Sequence, residues 1–386
     1  MTPPIDDPAW ASVRSDLPTT AERAYRSVEA RTTSPTRPPR FTSFADLARR
    51  VRDAPPIDRG DDEPRDAVGE DRRTRDPVAL AALARFASVL RDHGYGADAP
   101  DAPIAPEARP WFHLAEGGSV ERREVESVVG AQAVDALLGA GWAELGDLDP
   151  TYLRLTMTVL AAGSLLTVTP RPGPGVDTVY LGPDSLALLR RAWDAGAGHR
   201  AADLGTGNGF LAAALATRFD HVVGTDLSAR CVGAASLIEV LNPELAGRIS
   251  IVRADVAAGL APGAFDLVVA NPPWVPEPLL GERDPVRRFA AGGPTGFELP
   301  RRFLDAAASL LAPNGRAFVS CLDIDLASGR RPLREHLPVL EGAGCAVDIH
   351  PSGMPDGDDM RGWVKNRLGR VHAARHVIVE LRAQTR

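Results

Sequence analysis

Apolar and polar positions change their period along this chain, and the changes divide it. Val78 to His93 (VALAALARFASVLRDH) sets Leu80, Leu83, Phe86, Val89 and Leu90 at helical spacing before Gly94, which predicts an amphipathic helix. A second helical unit begins near Ser119, with Ser119 as the cap of VERREVESVVG and with AVDALLGAG following it. Tyr152–Leu160 and Leu165–Thr169 are rich in β-branched and apolar residues and predict a hairpin. Helix, short turn, helix, hairpin is the outline of a winged helix. From His199 onward the pattern becomes strand and helix in alternation. AADLG, HVVGTDL, ISIVRAD, FDLVVANPP, GRAFVSCLD, CAVDIHP and VHAARHVIVELRA predict strands. FLAAALATRF, RCVGAASLIEVL, ELPRRFLDAAASLLAP and LREHLPVLEGAG predict helices. Such alternation implies crossover units and a parallel sheet. The last strand follows its neighbour without a helix, so it is expected to run antiparallel.

The chain has 386 residues, of which 44% are hydrophobic and 25% charged, in keeping with two globular domains. Asp53 to Pro77 carries few apolar residues, and Ala97 to Pro110 has the composition of an extended connector. Three divisions follow. Residues 1–77 are expected to be partly disordered or loosely packed, 78–177 to form a helical, winged-helix-like accessory domain, and 178–386 to form an α/β catalytic domain. No apolar run approaches the ~18 residues a membrane span needs. The N-terminus MTPPIDDPAW lacks the basic start and apolar core of a signal peptide. Cys231, Cys321 and Cys345 are too few and too scattered for a disulfide framework, which points to a reducing cytoplasm. The net charge is −7, and its placement matters more than its size. Residues 1–177 hold 21 arginines against 28 acidic residues, whereas residues 178–386 hold 23 basic against 23 acidic ones. An acidic accessory domain argues against broad nucleic-acid affinity and for a lid or partner surface.

Two clusters carry candidate chemistry. The first is Asp203-Leu204-Gly205-Thr206-Gly207-Asn208-Gly209, directly after a strand and opening a helix. Glycine lets a backbone turn sharply and approach a ligand closely. The spacing differs from the dinucleotide fingerprint, and an acidic residue precedes the first glycine. That carboxylate would repel a pyrophosphate but can meet a cationic amino group. The next two strands end in Asp226, suited to ribose hydroxyls, and Asp255, placed to meet an adenine amino group.

The second cluster is Asn271-Pro272-Pro273-Trp274, after the apolar strand Phe265–Ala270. Two prolines stiffen the turn and remove backbone donors, leaving carbonyls as acceptors. An asparagine oxygen beside a free carbonyl can accept both protons of a planar NH₂ group, and Trp274 offers a ring on which a planar substrate can stack. Orienting that nitrogen toward an electrophile is then most of the catalysis.

Together these residues resemble a class I S-adenosylmethionine-dependent methyltransferase, of the subgroup in which Asn-Pro-Pro-aromatic serves methylation of planar nitrogen. The local similarity extends to the HemK-like release-factor glutamine methyltransferases. There a Gly-Gly-x-x-Gly segment leads a helix after the Asn-Pro-Pro turn, as Gly292-Gly293-Pro294-Thr295-Gly296-Phe297-Glu298 does here. Leu181-Gly182-Pro183-Asp184-Ser185 resembles the segment that precedes the first strand in related small methyltransferases. The resemblance covers roughly Val179 to Leu381. Trp274 stands where the glutamine enzymes usually have tyrosine.

The resemblance implies a Rossmann-like, mostly parallel sheet that binds S-adenosylmethionine through Asp203, Gly205, Thr206, Gly207, Asn208, Gly209, Asp226, Leu227, Asp255, Val256 and Asn271. Asn271, Pro272 and Trp274 would be catalytic, and Asn271, Pro273, Trp274 and Glu277 would bind the substrate. The sulfonium is already activated, so no metal is expected. His350, His372 and His376 are expected to be structural. The acceptor is expected to be a side-chain amide or guanidine, in a protein or a free amino-acid-like metabolite. Glu277, Glu282, Asp284, Arg283, Arg287 and Arg288 lie on a loop over that substrate. Two alternatives stand beside this: a nucleobase amine in RNA or DNA, with Arg122, Arg123 and Arg287–Arg288 on phosphates, or a cofactor-binding regulator without catalysis.

Overall fold

The computed structural model describes residues 76–95, 106–146, 149–162, 165–170, 182–280, 287–354, 360, 364 and 371–384. The expectation for residues 1–77 falls almost wholly outside them. The chain forms two compact units. One gathers the described residues of Arg59–Gly173 with the segment Gly233–Ala246, and the other gathers those of Pro174–Val232 and Gly247–Arg386.

In the first unit, helix α1 (Pro77–Asp92) starts where Asp76 accepts hydrogen bonds from the Val78 and Ala79 amides, with Pro77 at its first position. Its face of Ala79, Leu83, Phe86 and Leu90 is buried, as the helical spacing predicts. Then come α2 (Arg109–Ala115), β1 (Ser119–Glu121), α3 (Arg122–Val129), α4 (Ala131–Gly139), β2 (Ala143–Leu145) and β3 (Tyr152–Leu155), with the three strands in the order β1-β3-β2. Two details differ from the outline expected of this region. Ser119 does not cap a helix: it is exposed in β1 opposite Arg154, and α3 starts after Glu121 without a side-chain cap. The expected hairpin is two structures. The strand breaks at Thr156, whose hydroxyl donates to the Gly141 carbonyl at 2.8 Å, and only β4 (Met157–Ala162) pairs with β5 (Leu165–Pro170). Local pattern could not show that Tyr152–Leu155 turns to β1 and β2 instead.

The predicted helix over 230–241 is also divided, into α7 (Ala229–Ala235) and α8 (Ile238–Leu241). Ala234, Leu237 and Leu241 belong to the core of the first unit. Asn242 seals this join. It is fully buried, and its amide donates to the Leu166 and Ile238 carbonyls and accepts from the Leu166 amide and Arg91.

The second unit is built on seven strands: β6 (Gly198–Leu204), β7 (Phe219–Asp226), β8 (Ile249–Arg253), β9 (Phe265–Ala270), β10 (Leu311–Leu326), β11 (Cys345–Pro351) and β12 (Val371–Ala383). Their order is β11-β12-β10-β9-β6-β7-β8. β8, β7, β6, β9 and β10 are parallel neighbours, and β12 runs antiparallel to β10 and β11, as the missing crossover helix predicts. This is a Rossmann-like class I methyltransferase fold. Helices α5 (Pro183–Trp193), α6 (Phe210–Ala216), α9 (Arg287–Ala290), α10 (Glu298–Leu310) and α11 (Pro332–Gly342) accompany it. Ala201, Ala202, Leu204, Val268, Val269 and Ala270 are almost completely buried, as continuous apolar runs of a parallel sheet should be. Strand order reverses between β6 and β9, where Leu204 lies opposite Ala270. In such sheets the crevice beyond the carboxyl ends of those two strands is where ligands bind. Both sequence clusters begin there.

Candidate functional site

The loop after β6 winds through three glycines with positive φ: Gly205 (+70°), Gly207 (+58°) and Gly209 (+78°). Only glycine takes this conformation without strain. The loop is tied down on all sides. The Thr206 amide donates to the Thr225 carbonyl at 2.8 Å, the Gly207 amide to Asp226 at 3.0 Å, and Asn208 accepts from the Phe210 amide at 3.2 Å as α6 begins.

Asp203 is fully buried. Its Oδ2 accepts from the Thr206 hydroxyl at 2.6 Å and the Ala212 amide at 3.0 Å, while its Oδ1 is buried with no hydrogen-bond partner. Burial pushes its pKa up to about 7 against those hydrogen bonds, with Asp226 adding a small push the same way. Asp226 is raised too, chiefly by burial, although the Ser228 and Gly207 amides favour its charge. A folded-state pKa above the unfolded value means the native state holds its proton longer. Stability therefore falls as pH rises from about 4 to about 7 in the ligand-free protein. Asp203→Asn, which resembles the protonated acid, is expected to stabilise the ligand-free chain at pH 8 by roughly 2–4 kcal/mol and to do nothing at pH 4. Thermal melts at the two pH values check this, and equal melting at pH 8 contradicts it.

The other residues expected at the cofactor crevice are placed as follows. Leu227 is 64% exposed, an apolar side chain left open beside Asp226. Val256 takes φ +54°, a strained conformation for a β-branched residue, and its carbonyl accepts from the Thr225 hydroxyl at 2.6 Å. Asp255 is exposed and already paired with Arg302 at 2.8 Å, a partner the sequence did not reveal.

The turn after β9 is braced from α5. Asn271 Nδ2 donates to Ser185 Oγ at 2.9 Å. Its Oδ1 is buried and accepts nothing. No hydrogen bond among the described residues ends on the Pro272 carbonyl. Trp274 corrects the stacking expectation. Its ring is 4% exposed, lies 4.6 Å from the His376 ring, and belongs to a cluster with Leu322, Ile324, Met360, Val364 and Ala374. Its Nε1 donates to Asp184 Oδ2 at 3.2 Å. The ring faces are spent on packing, so Trp274 anchors the turn instead of offering a platform. His376 is fully buried, and burial lowers its pKa to about 4, so it is neutral at pH 7. Its ring packs against Trp274, and neither of its nitrogens has a hydrogen-bond partner.

The Gly-Gly-Pro-Thr-Gly segment closes on the same turn. The Val275 amide donates to the Ala290 carbonyl and the Gly292 amide to the Val275 carbonyl. A Cβ on Gly292 would lie 2.7 Å from the Trp274 Cα, and one on Gly296 would lie 2.4 Å from the Trp274 carbonyl oxygen. Glu298 accepts from the Thr295 amide and hydroxyl and fixes the segment's exit into α10. Glu277 pairs with Arg287 at 3.3 Å instead of standing free for a substrate. Glu282, Arg283 and Asp284 lie outside the described residues.

Two other groupings belong to neither sequence cluster. Asp348, His350 and Glu380 place ligand atoms within 4.8 Å of one another. Arg191 bonds His350, Arg316 bonds Glu380 and Arg382 bonds Asp348. Three arginines repel a cation, so this is an ion-pair network. In the first unit Arg122 is held by Glu126 and Asp135, and Arg123 by Glu121. Arg122, Arg123 and Arg287, three of the cations named for the nucleic-acid alternative, are thus each paired with a carboxylate. No helix among the described residues is long and apolar enough to cross a membrane.

Comparison with known proteins adds one family match and three relatives. The methyltransferase small domain family matches residues 183–322. The release factor glutamine methyltransferase of Deinococcus radiodurans is 32% identical over 280 residues, covering 70% of this chain and 83% of that protein. That of Bradyrhizobium diazoefficiens is 33% identical over 194 residues, covering 48% of this chain and 60% of its own length. A ribosomal protein uL3 glutamine methyltransferase of Bordetella pertussis is 33% identical over 123 residues, or 30% of this chain and 41% of that protein. Apart from the Deinococcus protein, the chain spans about half the length of the curated relatives it matches.

Proposed function

Since the chain belongs to the family of the release factor glutamine methyltransferases, we propose that it is an S-adenosylmethionine-dependent N-methyltransferase of the cytoplasm, acting on a glutamine side-chain amide of a protein. The observation that carries this is Asn271. Its NH₂ is held by Ser185 and its oxygen is buried, unpaired, at the carboxyl end of β9. A buried acceptor left without a donor costs roughly 1–3 kcal/mol, so it persists where a ligand completes it. An amide NH₂ is such a donor. With one proton taken by Asn271 Oδ1 and the other by the Pro272 carbonyl, the amide plane is fixed and the nitrogen faces the crevice.

The cofactor fits the residues present. Asp203 has one buried oxygen without a partner, which suits the cationic amino group of the methionine portion. The three positive-φ glycines keep side chains out of its path. In this reading Asp226 would accept from the ribose hydroxyls, Leu227 and Val256 would cover the adenine faces, and Asp255, paired with Arg302, would meet the adenine amino group. S-adenosylmethionine supplies an activated methyl group on a sulfonium. As the bond from the acceptor nitrogen to the methyl carbon formed, the methyl–sulfur bond would break, the sulfonium would leave as the neutral thioether S-adenosylhomocysteine, and one amide proton would pass to solvent. Pro272 contributes its carbonyl, Pro273 stiffness, and Trp274 anchorage of the turn. Glu277 belongs to the wall through Arg287.

The expected result with methyl-tritiated cofactor is label in purified bacterial release factor. Label instead in transfer RNA or in free glutamine, with none in the protein, contradicts the reading.

A further inference from the structure

We propose that Ser185, braced by Asp184, is a positioning residue that holds the Asn271 amide plane and thereby sets the orientation of the acceptor amide. This rests on the reading of Asn271 as the acceptor clamp. The terminal torsion of an asparagine is broad and roughly two-fold. Two prolines stiffen the backbone after Asn271, but they do nothing to its side-chain torsion. What stops that rotation is the bond from Nδ2 to Ser185 Oγ at 2.9 Å. With its NH₂ so engaged, the amide has only Oδ1 left to offer.

Asp184 makes the brace rigid. Its Oδ1 accepts from the Ser185 amide at 2.9 Å and its Oδ2 from Trp274 Nε1 at 3.2 Å. Two neighbouring residues of α5 thus grip both ends of the Asn-Pro-Pro-Trp turn, Ser185 at its first residue and Asp184 at its last. Asp184, Ser185 and Trp274 are 3%, 5% and 4% exposed, so water offers little competition for these bonds. The ring of neutral His376 closes the far side of Trp274. Clamp and brace come from segments nearly ninety positions apart in the chain. Ser185 does not touch the acceptor in this account; it acts through Asn271.

The test uses the full chain, S-adenosylmethionine and purified release factor as the acceptor probe. Ser185→Ala is expected to lower kcat by about 10- to 100-fold, the scale of a small misplacement of a reacting group. KM for the release factor and the Kd for S-adenosylmethionine should stay near their starting values. Ser185→Thr keeps the hydroxyl and should restore kcat. Asp184→Asn, with one acceptor oxygen instead of two, should give an intermediate loss. A Ser185→Ala protein with unchanged kcat overturns the proposal, as does a loss that threonine fails to rescue. If Asn271→Ala is also without effect, the clamp reading fails; if Asn271→Ala abolishes turnover while Ser185→Ala is silent, only the brace fails. An acceptor-independent readout is the Asn271 side-chain NH₂ resonance in ¹⁵N-asparagine-labelled protein. It should shift in Ser185→Ala and return in Ser185→Thr, and an unmoved resonance overturns the proposal even where the release factor is not turned over.

Discussion

Replacing Asn271 with alanine is expected to lower kcat for methyl transfer on the order of 10²- to 10³-fold, the usual consequence of removing one preorganised hydrogen-bonding group from a reacting centre. Binding of S-adenosylmethionine, measured by calorimetry, should change little. The contrast follows from where the groups sit. The cofactor is expected to be held by the loop after β6 and the ends of β7 and β8, whereas Asn271 stands at the end of β9 with its oxygen uncommitted. Removing a group that already bonds Ser185 also frees a buried hydroxyl, so a modest fall in stability is expected with it. A variant that keeps its turnover shows that the acceptor is oriented by something else. A variant that binds cofactor but transfers nothing eliminates the reading of this chain as a regulator with no catalytic role, since the wild type would then differ from it only in catalysis.

Gly296→Ala should be the most damaging conservative change in the second unit. Gly296 has φ +81°, and its new Cβ would lie 2.4 Å from the Trp274 carbonyl oxygen. Left-handed strain and a backbone collision together should cost about 2–5 kcal/mol. Gly329→Ala is the matched control. Its φ is also +81°, but nothing lies within 4 Å of the new Cβ, so only the strain of about 1–2 kcal/mol remains. Thermal melts of the two variants separate the terms. The larger drop in Gly296→Ala should be accompanied by loss of turnover, because the displaced atom belongs to the turn that carries Asn271. Equal melting of the two variants contradicts the close packing of the glycine segment on Asn-Pro-Pro-Trp.

Much of this was legible in the sequence, for identifiable reasons. Buried parallel strands read as short apolar runs, so AADLG, HVVGTDL and FDLVVA announced β6, β7 and β9, and the motifs at their ends located Asp203, Asp226 and Asn271. Those positions depend on strand ends, which are local. An aromatic after two prolines suggests an open face, whereas Trp274 is buried. It is enclosed by His376 from the last strand and Asp184 from the first helix of that unit, and no local pattern reports such distant partners. Ser185 and Asp184 lay in a segment singled out by resemblance, Leu181 to Ser185, but their roles needed the bond to Asn271 to be seen. Asp255 looked free and is paired with Arg302 from α10. Residues 233–246 follow the alternating pattern of the second half yet belong to the first unit, because α8 packs against α1 and β5 and Ala234, Leu237 and Leu241 enter that unit's core.

The most direct test of the central claim is to react the chain and its Asn271→Ala variant with trideuteromethyl-labelled S-adenosylmethionine and release factor, then map the label by tandem mass spectrometry. The account predicts one labelled methyl on the side-chain amide of a single glutamine with the wild-type chain and almost none with the variant. Label on arginine, lysine or nucleic acid, or equal glutamine labelling by both proteins, would contradict it.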